Sequence, residues 1–266
     1  MSTILLAVLF SLALFGGVLV CLRIGWKIGQ RRLRFAGEDG QAGLGALEGA
    51  VFGLMGLLIA FTFTGAATRF HERRDLVTQH VNAIGTAWLR LDLLDSSSRD
   101  RAREGFRRYV DGLIELTRHA DNETAIKATA DRLAVIQGEI WATLIDGVRG
   151  DKPSPPPQVV VLPPANEMFD LTTTRLMAAR QHPPVAVFLL LGVLVLVSSL
   201  LAGFGMAKAG SQSTVHLFGF AAIMALSIYL ILDIEYPRLG LVKIDSFDQP
   251  LVDLRMSMGS IPEKVR

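Results

Sequence analysis

VAVFLLLGVLVLVSSLLAGFGMA, residues 185–207, carries no ionisable side chain and lies between Pro184 and Lys208. A helix needs about 20 apolar residues to cross the ~30 Å hydrocarbon core of a bilayer, and this run supplies them without interruption. The same reading extends outward. Downstream, Thr214 to Leu232 is free of Asp, Glu, Lys and Arg and stops at Asp233. Upstream, one run lies between Glu48 and Arg69, and another occupies Met1 to Leu22 and ends at Arg23. Each run stops at a charge because an ionised side chain in hydrocarbon is costly. A signal peptide is the rival reading for the first run. It would need a basic n-region and a small-residue cleavage site after a short apolar stretch. No basic residue precedes this run, so it is expected to remain as a helix.

Averages over the chain decide less than distribution does. Of the 266 residues, 50% are hydrophobic and 20% are charged, and the two kinds are segregated. The expected fold is an all-α membrane protein with four transmembrane helices and a helical soluble insert between spans 2 and 3. Residues 1–68 hold spans 1 and 2 with a short basic loop, and 69–183 form the insert. Spans 3 and 4 occupy 184–236, and 237–266 are a C-terminal tail. The net charge is +2, with Arg interleaved among Asp and Glu, which argues for a solvated helical surface and no nucleic-acid partner. Cys21, the single cysteine, excludes a disulfide within one chain.

Gly45, Gly49 and Gly53 recur at four-residue spacing in span 2. Small residues so placed let helix backbones approach closely in a bilayer, within one chain or between copies. In the insert, Val77, Val81, Ile84, Trp88 and Leu91 step by four and three with no breaker after span 2. Span 2 is therefore expected to continue outward as one long helix. A break at Ser96, Ser97 and Ser98, where a serine can cap, precedes a helix with Phe106, Tyr109, Val110, Leu113 and Leu116 on one side. Another runs from about Glu123 to Val148. A Pro-rich linker is expected near 153–164, through Pro153, Pro155, Pro156, Pro157, Pro163 and Pro164. A last helix follows from about Asn166 to Arg180.

No constellation points to an enzyme, a metal site or a cofactor. His71, His80, His119, His182 and His216 lack metal-ligand spacing. Asp92 and Asp95 read as a solvated pair, and Asp233 and Glu235, two apart, fall on different helix faces. Two junctions stand out, the exits of spans 2 and 4. They run Phe61-Thr62-Phe63-Thr64-Gly65-Ala66-Ala67-Thr68-Arg69-Phe70-His71-Glu72-Arg73-Arg74 and Leu232-Asp233-Ile234-Glu235-Tyr236-Pro237-Arg238-Leu239-Gly240.

These junctions, with Glu48 to Val51, Asn82 to Ala87 and Asp170 to Arg175, resemble a bacterial family of four-span proteins labelled bestrophin-like, a domain of unknown function. A more distant similarity is to bestrophins, which are pentameric chloride channels with four spans per subunit. Phe61, Ala66, Arg69, Phe70, Glu72 and Arg74 match their span 2 exit, and Pro237, Gly240, Asp245 and Asp248 loosely echo an acidic segment. Thr62, Thr64 and Ala67 depart from the Arg, Asn and Tyr of bestrophins, and the thinned acidic cluster argues against calcium gating. The resemblance implies a multi-pass homo-oligomer in the bacterial inner (plasma) membrane, with lipid as its solvent and an anion as its cargo.

Two functions follow. In one, span 2 lines a pore through Leu58, Thr62 and Ala66, with Phe61 and Arg69 at one junction and Asp233 and Glu235 at the other. A ring of Arg at one mouth would favour anions. In the other, the chain is a membrane-anchored interaction or sensing module that conducts nothing. Arg and Lys flank both sides of the membrane, so the charge rule does not choose the side of the insert. The resemblance to bestrophins favours the cytoplasm.

Overall fold

A computed structural model describes residues 3–36, 44–118, 122–149, 157–209, 213–236 and 245–259, and all regular structure among them is helical. The helices are α1 (Thr3–Ala36), α2 (Leu44–Arg90), α3 (Ser96–Arg118), α4 (Glu123–Val148), α5 (Pro157–Arg180), α6 (Val185–Gly205), α7 (Thr214–Glu235) and α8 (Asp245–Ser257). Four helical stretches are long and apolar enough to cross a membrane: Leu5–Phe35, Gly45–Leu93, Gln158–Lys208 and Thr214–Glu235. They contain three of the four runs read from the sequence in full, and the remaining one, Met1 to Leu22, from Leu5 onward. The chain divides into a bundle unit, Met1–Phe70 with His182–Val242, and a second unit, His71–Gln181 with Lys243–Arg266.

In the bundle, α1 packs against both α6 and α7. Its contact with α6 is a backbone contact. A Cβ on Gly25 would lie 2.0 Å from the Leu200 carbonyl oxygen, and one on Gly203 would lie 2.1 Å from that of Leu22. Only glycine permits such an approach, which substitutes dispersion for the hydrophobic force that lipid cannot supply. Gly17 meets Leu196, Gly25 meets Leu200 and Gly29 meets Ala207, so α1 and α6 run parallel. Leu14, Val18 and Leu22 of α1 close a common core with Leu191 and Val195 of α6 and Ala221 and Ile228 of α7.

Helix α2 joins this core differently. Met55 and Ala66 are buried in it, and Phe52, Leu58 and Ile59 pack against it. Yet a Cβ placed on Gly45, Gly49, Gly53 or Gly56 would meet nothing within 4 Å. The glycine row of span 2 thus has no partner among the described residues of its own chain.

The second unit is built as its periodicity requires. Ile84 and Leu91 of α2, Phe106, Tyr109 and Leu113 of α3, and Leu133, Ile140 and Leu144 of α4 form one core. The α2 stripe continues from span 2 without a break, as expected from the absence of a breaker. The cap of α3 differs from the expected serine. Asp95 Oδ1 accepts from the Ser98 backbone N–H at 3.0 Å, so the carboxylate does that work. Asp92 pairs with Arg103 at 2.6 Å, so the two aspartates have separate roles.

The Pro-rich segment is the larger difference. Residues 151–156 lie outside the described set, but from Pro157 onward the expected linker is helix, with Pro163 and Pro164 inside it. Pro157 is tolerated in the first turn, where its missing N–H would be unpaired anyway. Pro164 deprives the Val160 carbonyl of its helical donor, and Arg90 Nη1 donates to that oxygen at 2.8 Å instead. Val161, Ala165 and Met168 are fully buried in the core, which holds the proline-bearing turn in place. The tail also carries a helix. Leu251 and Met258 are buried in the insert core, and Arg255 of α8 pairs with Asp111 of α3 at 2.8 Å.

Candidate functional site

The exits of spans 2 and 4, read separately from the sequence, meet in the bundle unit. Glu235, at the end of α7, is completely buried. Arg69 of α2 forks onto its carboxylate, with Nε donating to Oε2 at 3.0 Å and Nη2 to the same oxygen at 2.6 Å. His182, just before α6, donates from Nδ1 to Oε1 at 3.0 Å. A carboxylate offers only acceptors, which places the proton on this nitrogen. The His182 ring stacks on Tyr236 with centroids 4.4 Å apart. The cluster therefore ties together the end of span 2, the start of span 3 and the end of span 4.

The burial explains the geometry. A carboxylate withdrawn from water is tolerated when it is paired and its lone pairs are filled, and a forked guanidinium with an imidazole does both. Removing Arg69 leaves the Glu235 carboxylate, itself completely buried, without its guanidinium. The cluster thus pairs Arg69, read from the sequence as part of a ring of Arg at one mouth, with Glu235 of the same chain. One turn beyond, Arg73 has a different task. It donates to the carbonyls of Ala178 and Gln181 at 3.1 and 2.7 Å and closes the C-terminal end of α5.

The remaining site candidates are distributed around α2. Phe61 is 64% exposed, whereas Ala66 is completely buried. Leu58 packs against the bundle core, and Thr62 returns its hydroxyl proton to the Leu58 carbonyl at 2.7 Å. Leu58, Thr62, Ala66 and Arg69 thus share the face turned toward the chain's own helices. The opposite face, through Gly53, Leu57, Ala60, Phe61 and Thr64, is exposed. Asp233 is buried as well as Glu235, so the different faces of α7 on which they lie are both covered.

His182 and Tyr236 were not singled out as site residues by sequence reasoning. The available signal was topological. In a four-span chain the end of span 2, the start of span 3 and the end of span 4 share one side of the membrane, so polar residues at those ends can meet.

A second buried polar network lies in the insert. His80 is completely buried, and Arg175 Nη1 donates to its Nδ1 at 2.9 Å. That contact makes Nε2 the protonated nitrogen, which donates to the Tyr109 hydroxyl at 2.8 Å. Tyr109 donates onward to the Met168 carbonyl at 3.1 Å or to Thr172, which Gln137 also reaches at 3.1 Å. Burial and the Arg175 charge push the His80 imidazole from its ordinary 6.5 down to about 3, against a raising contact with the Met168 backbone. Burial likewise pushes the Tyr109 phenol up to about 12, although Thr172, Gln137 and Arg175 favour its anion. Both groups are neutral at physiological pH and act as a hydrogen-bonded lock between α2, α3 and α5.

The family model for the bestrophin-like domain matches residues 45–246, which include both span exits and the insert. The chain belongs to the bestrophin-like family. No curated protein and no solved structure matches it. With its four apolar helices, the chain is a multi-pass membrane protein.

Proposed function

We propose, with membership of the bestrophin-like family as the premise, that the chain forms a homo-oligomeric anion channel in a bacterial inner membrane, its path lined by span 2. The observation that carries the reading is the unoccupied glycine row of α2. A Cβ on Gly45, Gly49, Gly53 or Gly56 would meet nothing within 4 Å among the described residues of the same chain. Such a row in lipid is suited to another helix, and a copy of α2 or its neighbours supplies one.

In this reading the residues facing a shared axis are those turned away from the chain's own bundle. Leu57 and Phe61, 50% and 64% exposed, form the narrow apolar neck. Leu58, Thr62 and Ala66 support it from behind. A hydrophobic neck opens and closes by wetting. Arg69 stands near its mouth as half of an ion pair, so the positive field there depends on how firmly Glu235 holds it.

Purified oligomer in planar bilayers tests the proposal. Chloride-selective current is expected, with a larger current from Phe61→Ala and a stronger preference for anions in Glu235→Gln. Bilayers that stay silent with confirmed oligomer present would overturn it and favour the membrane-anchored interaction module.

A further inference from the structure

We propose that the outer face of α1 beyond residue 22 is a binding surface for anionic phospholipid in the leaflet where spans 1 and 3 end. Arg23, Lys27, Arg31 and Arg34 are spaced by four, four and three residues, and all are exposed. At 100° per residue they fall within one 80° strip of the helix. Ile24, Ile28 and Phe35, 44%, 47% and 92% exposed, form a second strip directly beside the first. The opposite side of the helix is fixed. Gly25 and Gly29 press against Leu200, Phe204 and Ala207, so the cationic strip cannot rotate inward.

The register with α6 sets the depth. Gly25 lies against Leu200, and α6 together with the turn after it stays free of charge until Lys208. Arg23 and Lys27 are therefore held beside the last apolar turns of span 3, where hydrocarbon gives way to headgroups. Arg31 and Arg34 lie about 12 and 16 Å beyond Arg23 along the axis, at 1.5 Å per residue. Long cationic side chains at this depth extend their charge to the phosphate layer while their stems stay in apolar surroundings. The adjacent Ile and Phe strip suits acyl chain and glycerol.

Among the described residues no counter-charge pairs with the strip. Helix α1 contains no acidic residue, and none of the four cations has an ion pair among the described residues. Glu48 of α2, at this end of the bundle, lies against Gly205 of α6. Lys208 adds another exposed cation. The surface thus presents a net positive strip that a lipid carrying net negative charge fits and a zwitterionic lipid does not.

The test reconstitutes the full chain in vesicles of equal phosphatidylcholine and phosphatidylglycerol, extracts it gently, and measures retained lipid by native mass spectrometry. Each cation near an anionic surface favours binding on the order of fivefold, so wild type should retain phosphatidylglycerol in at least about fivefold excess. R23Q/K27Q/R31Q/R34Q should bring that ratio close to the vesicle value, and R23K/R31K/R34K should keep the excess. Should the glutamine variant not insert, the wild-type protein carries the test alone, because its excess must fall steeply when extraction is repeated at high salt. Retention of the two lipids in the vesicle ratio, or an excess that neither salt nor the glutamine variant reduces, would overturn the proposal.

Discussion

Two sets of glycines lie in the bundle unit, one where spans 1 and 3 meet and one along span 2, and their surroundings are opposite. Gly25, Gly29 and Gly203 are pressed against the backbone and side chains of the facing helix, whereas Gly45, Gly49, Gly53 and Gly56 face open space. Gly25 and Gly29 are four apart, as are Gly45, Gly49 and Gly53, but among the described residues only the first set is used inside the chain. Small-residue spacing thus marks where a helix can be approached and not by what. Span 2 is fastened to its own bundle by other means, through Met55 and Ala66 on its inner face and the Arg69–Glu235 pair at its exit. Its glycine face stays available.

The largest effect is expected at the filled row. Gly203→Leu forces a branched side chain into the Leu22 backbone and should cost about 3 kcal/mol or more. Thermal unfolding of the detergent-solubilised protein should show this as loss of the cooperative bundle transition. The second effect is expected at the fastening. Arg69→Ala leaves the buried Glu235 carboxylate without its guanidinium and should cost about 3 kcal/mol. Adding Glu235→Gln to that variant should recover most of the loss, which the same unfolding curves would report.

Acid should act on the insert. His80 is held neutral in the fold, whereas the unfolded chain takes up a proton below its ordinary 6.5. The unfolded state then binds more protons, so the stabilisation is complete above about pH 6.5 and declines as pH falls toward 3. A melting curve followed by the fluorescence of Trp88 and Trp141 should shift to lower temperature across that window. His80→Gln should flatten the dependence.

These contrasts also show which parts of the molecule were legible in the sequence. Spans and the long α2 were readable because apolar length, charged ends and the absence of breakers are local properties. The bounds of α4 followed from period alone. The helix through Pro163 and Pro164 was not readable, because the donor that replaces the lost hydrogen bond is Arg90, far away in sequence. Helix α8 was missed because Leu251, Leu254 and Met258 mark only a short face after a proline. For the site, Arg69 and Glu235 were flagged as separate junction charges. Their pairing and the part of His182 depend on three span ends converging, which no periodicity encodes. The glycine row was found, but its vacancy inside the chain required the fold.

The smallest expected effect on a single chain falls at the open row. Gly53→Ala meets nothing and replaces a poor helix former, so stability should change by no more than about 1 kcal/mol, in the stabilising direction. The consequence for assembly should be much larger with a bulkier residue. Mass photometry of the protein in lipid nanodiscs, wild type beside Gly49→Leu combined with Gly53→Leu, tests the central claim directly. Wild type should form a ring of several copies, and a double variant whose helices still melt cooperatively should form smaller species. A wild-type protein that is a single chain, or a double variant that keeps the same ring, would contradict it.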